Sequence, residues 1–174
     1  MKYREIAGEK ISVLGFGCMR FPTTSKNVED IDAEKSAKML EYAIENGVNY
    51  FDTAYVYHGG KSESFIGRVL KPYRDKIHIA TKCPTWEVKC EEDFDRLLNE
   101  QLERLQTDYI DFYLMHALDK DRFKNVVEKF NLIDKLNKAK ADGKIRHIGF
   151  SFHGGANQFK KIIDAYDWDF CQIQ

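Results

Sequence analysis

The sequence predicts an α/β fold in which helices cover a parallel sheet. Short apolar runs of strand length alternate with longer segments whose apolar residues recur at helical spacing. The connections between these segments are short, which is typical of βα units with helical crossovers. The chain has 174 residues, of which 43% are hydrophobic, so it can bury a sizeable core. We expect residues 1–174 to form a single domain.

The chain opens with the features of a hairpin and a first strand. Two short extended segments, 2–6 and 10–14, flank a turn at Ala7-Gly8-Glu9. Residues 13–17 then predict the first buried strand. The two glycines of this strand suit a tight turn or a close approach of the backbone.

A first helix is predicted between two capping signals. Asp32 suits the N-cap position, because its carboxylate can accept hydrogen bonds from the free amides of the first turn. Asn46-Gly47 suits the C-terminal end, where a left-handed residue commonly closes a helix. Apolar residues recur between these caps at Ala33, Ala37, Leu40 and Ile44.

The strand-helix alternation then repeats along the rest of the chain. Further strands are predicted at 48–52, 76–82, 109–116, 145–151 and 170–174. The intervening helices are predicted at 61–70, 90–105, 121–141 and 156–165. Ser62 is expected to cap the first of these helices, and Pro72 is expected to end it.

Two architectures fit this alternation, an open doubly wound sheet and a (β/α) barrel. A dinucleotide-binding open sheet should carry G-x-G-x-x-G after its first strand. The first strand here ends Gly15-Phe16-Gly17-Cys18-Met19-Arg20, without a third glycine and without an immediate helix. This difference argues against the open dinucleotide-binding fold.

Unusual polar residues fall at the ends of successive predicted strands. Because the carboxyl ends of parallel strands meet at one edge of a sheet, or ring one mouth of a barrel, these side chains should lie close together. A single polar residue at a strand end is more often structural, whereas a run of them indicates a functional site. They are Asp52, Lys82, His116, Ser151 and Gln172.

The stretch that follows Asp52 reads TAYVYHGG and contains Tyr57 beside a glycine hinge. A tyrosine is a weak acid, with an ordinary pKa near ~10. A positive charge ~4 Å away favours a phenolate by about 4 kcal/mol at an effective dielectric of ~20. Lys82 is the candidate charge, Asp52 would keep that ammonium protonated, and His116 would orient a substrate oxygen. A Tyr-Lys pair suits proton donation to a carbonyl, and the matching hydride must come from a cofactor.

Six stretches of the chain resemble the aldo-keto reductase family. They are VLGFGCMRF, FDTAYVYHGGKSESFIG, IHIATK, YIDFYLMH, IRHIGFS and the final CQIQ. The resemblance implies a (β/α)8 TIM-type barrel that uses NADPH or NADH to reduce an aldehyde or ketone. It places the family's catalytic tetrad on Asp52, Tyr57, Lys82 and His116, with Tyr57 as the general acid/base. No metal is implied.

The resemblance also implies a set of cofactor contacts. Ser151 and Gln172 would hold the nicotinamide carboxamide, Asp52 would lie beside the cofactor, and the backbone near Cys18 and Met19 would lie beside the ribose. Many family members have Asn after the strand-five serine, whereas this chain has Phe152, so the resemblance assigns no residue to that carboxamide contact here. The GFSFHGG form resembles a microbial branch whose longer members carry a ferredoxin-like iron-sulfur segment, but this chain has no such cysteine cluster.

The length departs from that family. A closed barrel has eight strands and typically ~250 residues, and only about six of its βα units are predicted here. We therefore expect a barrel truncated after strand six, which would self-associate to cover its open edge if the chain is this short. Two alternatives to an active reductase remain open, an inactive fragment that keeps the tetrad and a non-catalytic regulatory subunit that binds nicotinamide cofactor.

Net charge, the N-terminal residues and cysteine spacing indicate which binding partners, which location and which metal or redox sites to expect. The net charge is −1, which gives no reason to expect nucleic acid or an anionic membrane surface. Residues 1–10 lack an apolar signal region, so a cytoplasmic location is expected. The four cysteines form no C-x-x-C pair, which makes a zinc site or redox motif unexpected. The expected partner is a small carbonyl compound.

Other residues near the predicted site receive weaker expectations. Trp86 and Tyr55 fit a substrate pocket and ordinary packing about equally well, and His153 fits a cofactor contact and a turn equally well. His58 is expected to be a solvated loop residue, and Cys83 a buried and unreactive thiol.

Overall fold

Six parallel strands curve around one side of an incomplete barrel in the computed structural model, which describes residues 1–173. A two-stranded hairpin of β1 (Tyr3–Ile6) and β2 (Glu9–Ser12) precedes them. The sheet consists of β3 (Phe16–Gly17), β4 (Tyr50–Asp52), β5 (His78–Cys83), β6 (Ile110–Leu118), β7 (Ile145–Phe152) and β8 (Phe170–Ile173). These strands lie in the sheet in the order in which they occur in the chain. A doubly wound sheet reverses its order at a switch point, so this topology confirms the α/β half-barrel, with six parallel strands.

Helices connect the strands and cover the outer face of the sheet. They are α1 (Ala33–Glu45), α2 (Lys61–Leu70), α3 (Glu91–Leu105), the short α4 (Lys120–Arg122), α5 (Leu132–Ala141) and α6 (Ala156–Ile163). The main core lies between this layer and the sheet, and fully buried residues such as Leu40, Ile66, Leu97 and Leu136 belong to it. A smaller cluster, formed by Ile11, Ala80, Phe112 and Leu114, lies apart from that core. Within residues 1–173, no helix combines the length and the apolar character that crossing a membrane requires.

The first predicted strand is wrong over most of its length. Only Phe16–Gly17 pairs in the sheet, and Val13 and Leu14 are 60% and 62% exposed. The amide of Val13 donates to the carbonyl of Lys2 at 2.9 Å, which extends the hairpin instead. The apolar run 13–17 is therefore divided between the end of the hairpin and a short edge strand.

The predicted helix 121–141 is also wrong, because the chain breaks it into separate pieces. The short α4 passes into a π-helical stretch, Phe123–Glu128, and α5 begins only after Asn131. Asn131 has φ 50°, in the left-handed region that asparagine tolerates better than most residues. Its side-chain amide donates to Asp134 at 2.8 Å, which stabilises the start of α5.

The expected caps of α1 are confirmed, whereas the expected cap of α2 is not. Asp32 accepts a hydrogen bond from the Lys35 amide at 3.1 Å, and Asn46 ends α1. The N-cap of α2 is Gly60 rather than Ser62. The Ser62 hydroxyl is buried and donates to the carbonyl of Cys18 at 3.0 Å, so it ties α2 to the loop after β3.

Candidate active site

The carboxyl ends of β4 to β8 bring the predicted polar residues to one edge of the sheet. Parallel pairing aligns Ser151 of β7 with Gln172 of β8. A cavity of about 700 Å³ opens at this edge. Its walls include six of the predicted site residues, namely Met19, Tyr57, Lys82, His116, Ser151 and Gln172. The structure therefore brings residues from the strand ends and from the loops that follow them to one cavity.

Lys82 is the centre of a buried charged group at this edge. Its ammonium donates to both carboxylate oxygens of Asp52 at 2.8 Å and to the carbonyl of Thr53 at 2.6 Å. It also lies 3.3 Å from the Tyr57 hydroxyl and 4.8 Å from the centroid of the Tyr57 ring. Burial raises the pKa of Asp52, and the Lys82 ammonium opposes that effect. The arrangement provides a fixed positive charge at a phenol oxygen.

A strained turn presents Tyr57 to the cavity. Tyr57 begins a short 3-10 turn after β4, and His58, Gly59 and Gly60 that follow it all have positive φ. A Cβ added to Gly59 would lie 2.5 Å from Cγ of Glu29, so no larger residue fits there without displacing that side chain. Strained backbone of this kind is common where a loop must hold a side chain in one orientation.

His116 is held in its neutral form. Burial lowers its pKa to about 3, and the positive charges of Lys82 and Arg122 act in the same direction. Its Nδ1 is buried without a hydrogen-bond partner among the described residues. The imidazole lies 5.0 Å from the Trp86 ring and 6.3 Å from the Tyr57 ring, centroid to centroid. A neutral imidazole beside the Tyr-Lys pair can donate a hydrogen bond to an oxygen atom in the cavity.

Ser151 and Gln172 could hold the amide group of a ligand. The Ser151 hydroxyl accepts a hydrogen bond from the Ala117 amide at 2.7 Å and still carries its own proton, so it can donate. Gln172 lies directly beside it, exposed on β8, and offers both an amide donor and an amide acceptor. This pair fits the carboxamide of a nicotinamide ring, which needs one donor and one acceptor.

The loop after β3 contributes Met19 to the cavity, whereas Cys18 lies behind it. Met19 is exposed and lines the wall. Cys18 is fully buried, and its backbone amide donates to the carbonyl of Asp52 at 2.8 Å. The Cys18 backbone therefore holds the end of β4, and burial raises the pKa of its thiol.

The expectation that His58 is solvated is wrong. His58 is only 6% exposed, its Nε2 accepts a hydrogen bond from the Phe21 amide at 3.0 Å, and its Nδ1 bonds the carbonyl of Val28. It thereby fixes the loop 21–28 against the turn that carries Tyr57. The following glycines signalled an unusual turn, but nothing local in the sequence identifies backbone partners thirty or more residues away.

The remaining residues divide between cavity wall and packing. Trp86 and His153 line the cavity, together with Arg20 and Val28, which the sequence reasoning did not select. Tyr55 instead packs under the Arg104 guanidinium, 4.2 Å from its ring centroid. Cys83 is buried as expected, and burial raises its pKa to about 12. In residues 1–173, no group of three or more His, Cys, Asp or Glu side chains is arranged to hold a metal ion.

Comparison with known proteins gives a consistent set of relatives. A probable aldo-keto reductase of Glycine max is 32% identical over 153 residues, which cover 83% of this chain and 42% of that protein. The holo form of an aldo-keto reductase from Bacillus halodurans superimposes with a TM-score of 0.82 at 29% identity, covering 100% of this chain and 57% of that one. An aldo/keto reductase of Klebsiella pneumoniae, solved with NADP and acetate, superimposes with a TM-score of 0.71 at 25% identity, covering 91% and 51% respectively.

The chain thus spans about half the length of the relatives that it matches. A family model described as the aldo/keto reductase family matches residues 13–174, which is nearly the whole sequence. The sequential half-barrel and the polar edge of its sheet agree with that match. The chain belongs to the aldo/keto reductase family.

Proposed function

We propose that this chain carries the proton-transfer half of a nicotinamide-dependent oxidoreductase that reduces an aldehyde or ketone to an alcohol. The observation that supports it most directly is the buried Lys82 ammonium, held by Asp52 and placed 3.3 Å from the Tyr57 hydroxyl. A neutral His116 faces the same cavity.

Each side chain has a distinct role in this proposal. Tyr57 gives its proton to the carbonyl oxygen as the alcohol forms, and Lys82 stabilises the phenolate that remains. One charge at about this distance is worth about 4 kcal/mol at an effective dielectric of ~20. Asp52 keeps the ammonium charged, and His116 donates a hydrogen bond that orients the carbonyl oxygen.

The cofactor in this proposal is NADPH or NADH, bound at the β7–β8 side of the cavity. Ser151 and Gln172 would hold its carboxamide, with Met19 and Asp52 near its ribose and the backbone of Cys18 behind them. When bound, the cofactor supplies the hydride, which no side chain can provide. The structural relative from Klebsiella pneumoniae was solved with NADP, which favours the phosphorylated form.

The substrate is proposed to be a small carbonyl compound with an apolar body. The apolar side chains that line the cavity with Tyr57 and His116 include Met19, Val28 and Trp86. Such a wall buries apolar area around a carbonyl that the polar edge of the sheet fixes in place.

The decisive experiment combines cofactor binding with one substitution. NADPH is titrated into the purified chain while the fluorescence of Trp86 and Trp168 is followed, and turnover is then measured on a panel of aldehydes and ketones. Tyr57→Phe should retain the circular dichroism spectrum and cofactor affinity of the parent but lose turnover. Unchanged turnover in that variant would remove Tyr57 from the mechanism.

Because the chain covers only part of the length of its relatives, we make a second proposal about the isolated chain. The strands β3 and β8 lie at the two edges of the sheet, and Val13, Leu14 and Ile173 are exposed near them. We propose that the isolated chain self-associates through these edges. A monodisperse monomer at micromolar concentration in sedimentation velocity would refute self-association. A chain that neither self-associates nor binds NADPH would contain the tetrad side chains without a cofactor site.

A further inference from the structure

A carboxylate that the proposed chemistry does not use lies buried behind the cavity. Glu63, in the first turn of α2, is 0% exposed. Its Oε1 accepts hydrogen bonds from the Thr81 hydroxyl and from the Gln101 side-chain amide, both at 2.6 Å. Its Oε2 lies 3.4 Å from Nη1 of Arg104. A buried carboxylate is costly unless it is partnered, and this one is partnered on both oxygens.

Gln101 extends the network to the backbone of β5 and to β6. Its side-chain amide nitrogen also lies 3.1 Å from the carbonyl oxygen of Lys82. Its amide oxygen accepts a hydrogen bond from the Tyr113 hydroxyl at 2.8 Å. One side chain of α3 therefore fixes the peptide of Lys82 relative to Glu63 and to the neighbouring strand.

Arg104 extends the network to the loop that carries Tyr57. Its guanidinium lies 4.2 Å from the centroid of the Tyr55 ring, and Nη1 lies 3.5 Å from the Tyr55 carbonyl. Glu63 itself follows the strained turn, two residues after α2 begins at Lys61. The loop before Tyr57, the helix after it and the strand that bears Lys82 are thus held by one set of buried and partly buried hydrogen bonds.

We propose that Glu63 and Gln101 are positioning residues that set the separation of the Tyr57 hydroxyl and the Lys82 ammonium, an inference that rests on the proposed reductase function. That separation is 3.3 Å, and no hydrogen bond from Glu63 or Gln101 reaches either of these two atoms in the described part of the chain. Gln101 bonds the backbone carbonyl of Lys82 directly, whereas Glu63 reaches the loop before Tyr57 through the Arg104 side chain. Misplacement of reacting groups by about 1 Å can lower a rate on the order of 100-fold.

The test compares substitutions in the network with a matched buried carboxylate elsewhere. Glu63→Ala removes both hydrogen-bond acceptors, and Glu63→Gln keeps an acceptor for Thr81 and Gln101 but loses the charge beside Arg104. We expect Glu63→Ala to lower kcat by about 10- to 100-fold with a much smaller change in the KM of the carbonyl. Glu63→Gln should recover part of that loss, and Gln101→Ala should resemble Glu63→Ala.

Asp111→Asn is the control. Asp111 is also buried and pairs with Arg74 at 2.7 Å and Arg146 at 3.0 Å, but it lies at the opposite end of β6 from His116. This variant should lose stability without losing kcat at a temperature where it remains folded. If Glu63→Ala and Gln101→Ala lower only the melting temperature, as Asp111→Asn does, the positioning role is refuted.

A second readout does not depend on turnover. The chain is labelled with 3-fluorotyrosine, and the ¹⁹F resonance of Tyr57 is assigned by its absence in Tyr57→Phe. We expect this resonance to move in the Glu63 and Gln101 variants and to stay unchanged in Asp111→Asn. If the parent chain shows no turnover but the Tyr57 resonance moves only in the Glu63 and Gln101 variants, the proposed reductase activity is contradicted and the positioning role is retained. If the resonance does not move in folded Glu63→Ala, the inference is overturned.

Discussion

Replacement of His116 should remove one specific part of the pH dependence of stability. The folded-state pKa of His116 is lowered from 6.5 to about 3, mainly by burial. The folded chain therefore holds the imidazole neutral, while the unfolded chain protonates it below about pH 6.5. The stability that the folded chain gains from holding His116 neutral is fully present above the unfolded-state pKa of His116. It is lost as the pH falls from about 6.5 towards the folded-state pKa.

The size of the effect follows from this shift. At about pH 5, which is roughly 1.5 units below the unfolded-state pKa of His116, protonation stabilises the unfolded chain relative to the folded chain. The effect is about 2 kcal/mol at 1.36 kcal/mol per unit. At about pH 7 the same contribution is only about 0.2 kcal/mol. The parent should therefore lose about 2 kcal/mol more than His116→Gln when the pH is lowered from 7 to 5.

The assay is urea unfolding of both chains at a series of pH values. Circular dichroism is the better probe, because Trp86 lies against His116 and its fluorescence would report the substitution directly. Only the difference between the two pH profiles is interpreted, since every other titrating group is common to both. Parallel profiles from pH 7 to pH 5 would refute the reasoning, because His116 would then titrate alike in the folded and unfolded chains.

Four further substitutions test the site and its supports. Asp52→Ala leaves a buried ammonium without its carboxylate and should cost about 3–5 kcal/mol in urea unfolding; a loss below about 1 kcal/mol would contradict the buried ion pair. Gly67→Ala places a Cβ 2.5 Å from the backbone of α3 and should cost about 1–3 kcal/mol, whereas Gly17→Ala, with no atom within 4 Å of the added Cβ, should be nearly neutral. His58→Ala should speed hydrogen exchange at the Phe21 amide and raise the KM of the carbonyl more than it lowers kcat; unchanged exchange would show that His58 does not hold that loop.

The part of the site that could be predicted comes from the topology of parallel strands. Asp52, Lys82, His116 and Ser151 lie at or within two residues of the carboxyl ends of successive strands, so strand alternation alone was enough to bring them to one edge. Their distances and the orientation of Tyr57 depend on a turn with three left-handed residues, which no periodic pattern reveals. Sequence reasoning therefore identified which residues meet but not how they are held.

The buried network was missed because its members look like ordinary polar helix residues. Glu63 is spaced three residues from Ile66 and seven from Leu70, so it lies on the apolar face of α2. Gln101 lies on the corresponding face of α3, four residues before Leu105. A polar residue in phase with the apolar face was the available signal.

The residues of the site fall into two sets, one on interior strands of the sheet and one on or beside its edge strands. Asp52, Lys82 and His116 belong to β4, β5 and β6, and each of these strands is paired on both sides within the chain. Met19 follows the edge strand β3, and Gln172 lies on the other edge strand, β8. In the proposed mechanism the proton-transfer group therefore depends on interior strands, whereas two of the proposed cofactor contacts, Met19 and Gln172, depend on the edges.

Order at Tyr57 and affinity for NADPH should consequently respond to different changes. Substitutions that disturb the edges, such as at the exposed Val13 beside β3, should weaken NADPH binding while leaving the ¹⁹F resonance of Tyr57 in place. Substitutions at Glu63 should move that resonance with little effect on NADPH affinity. If both kinds of change altered both measurements together, the edge and interior strands would be acting as one unit, and the division of the site would be wrong.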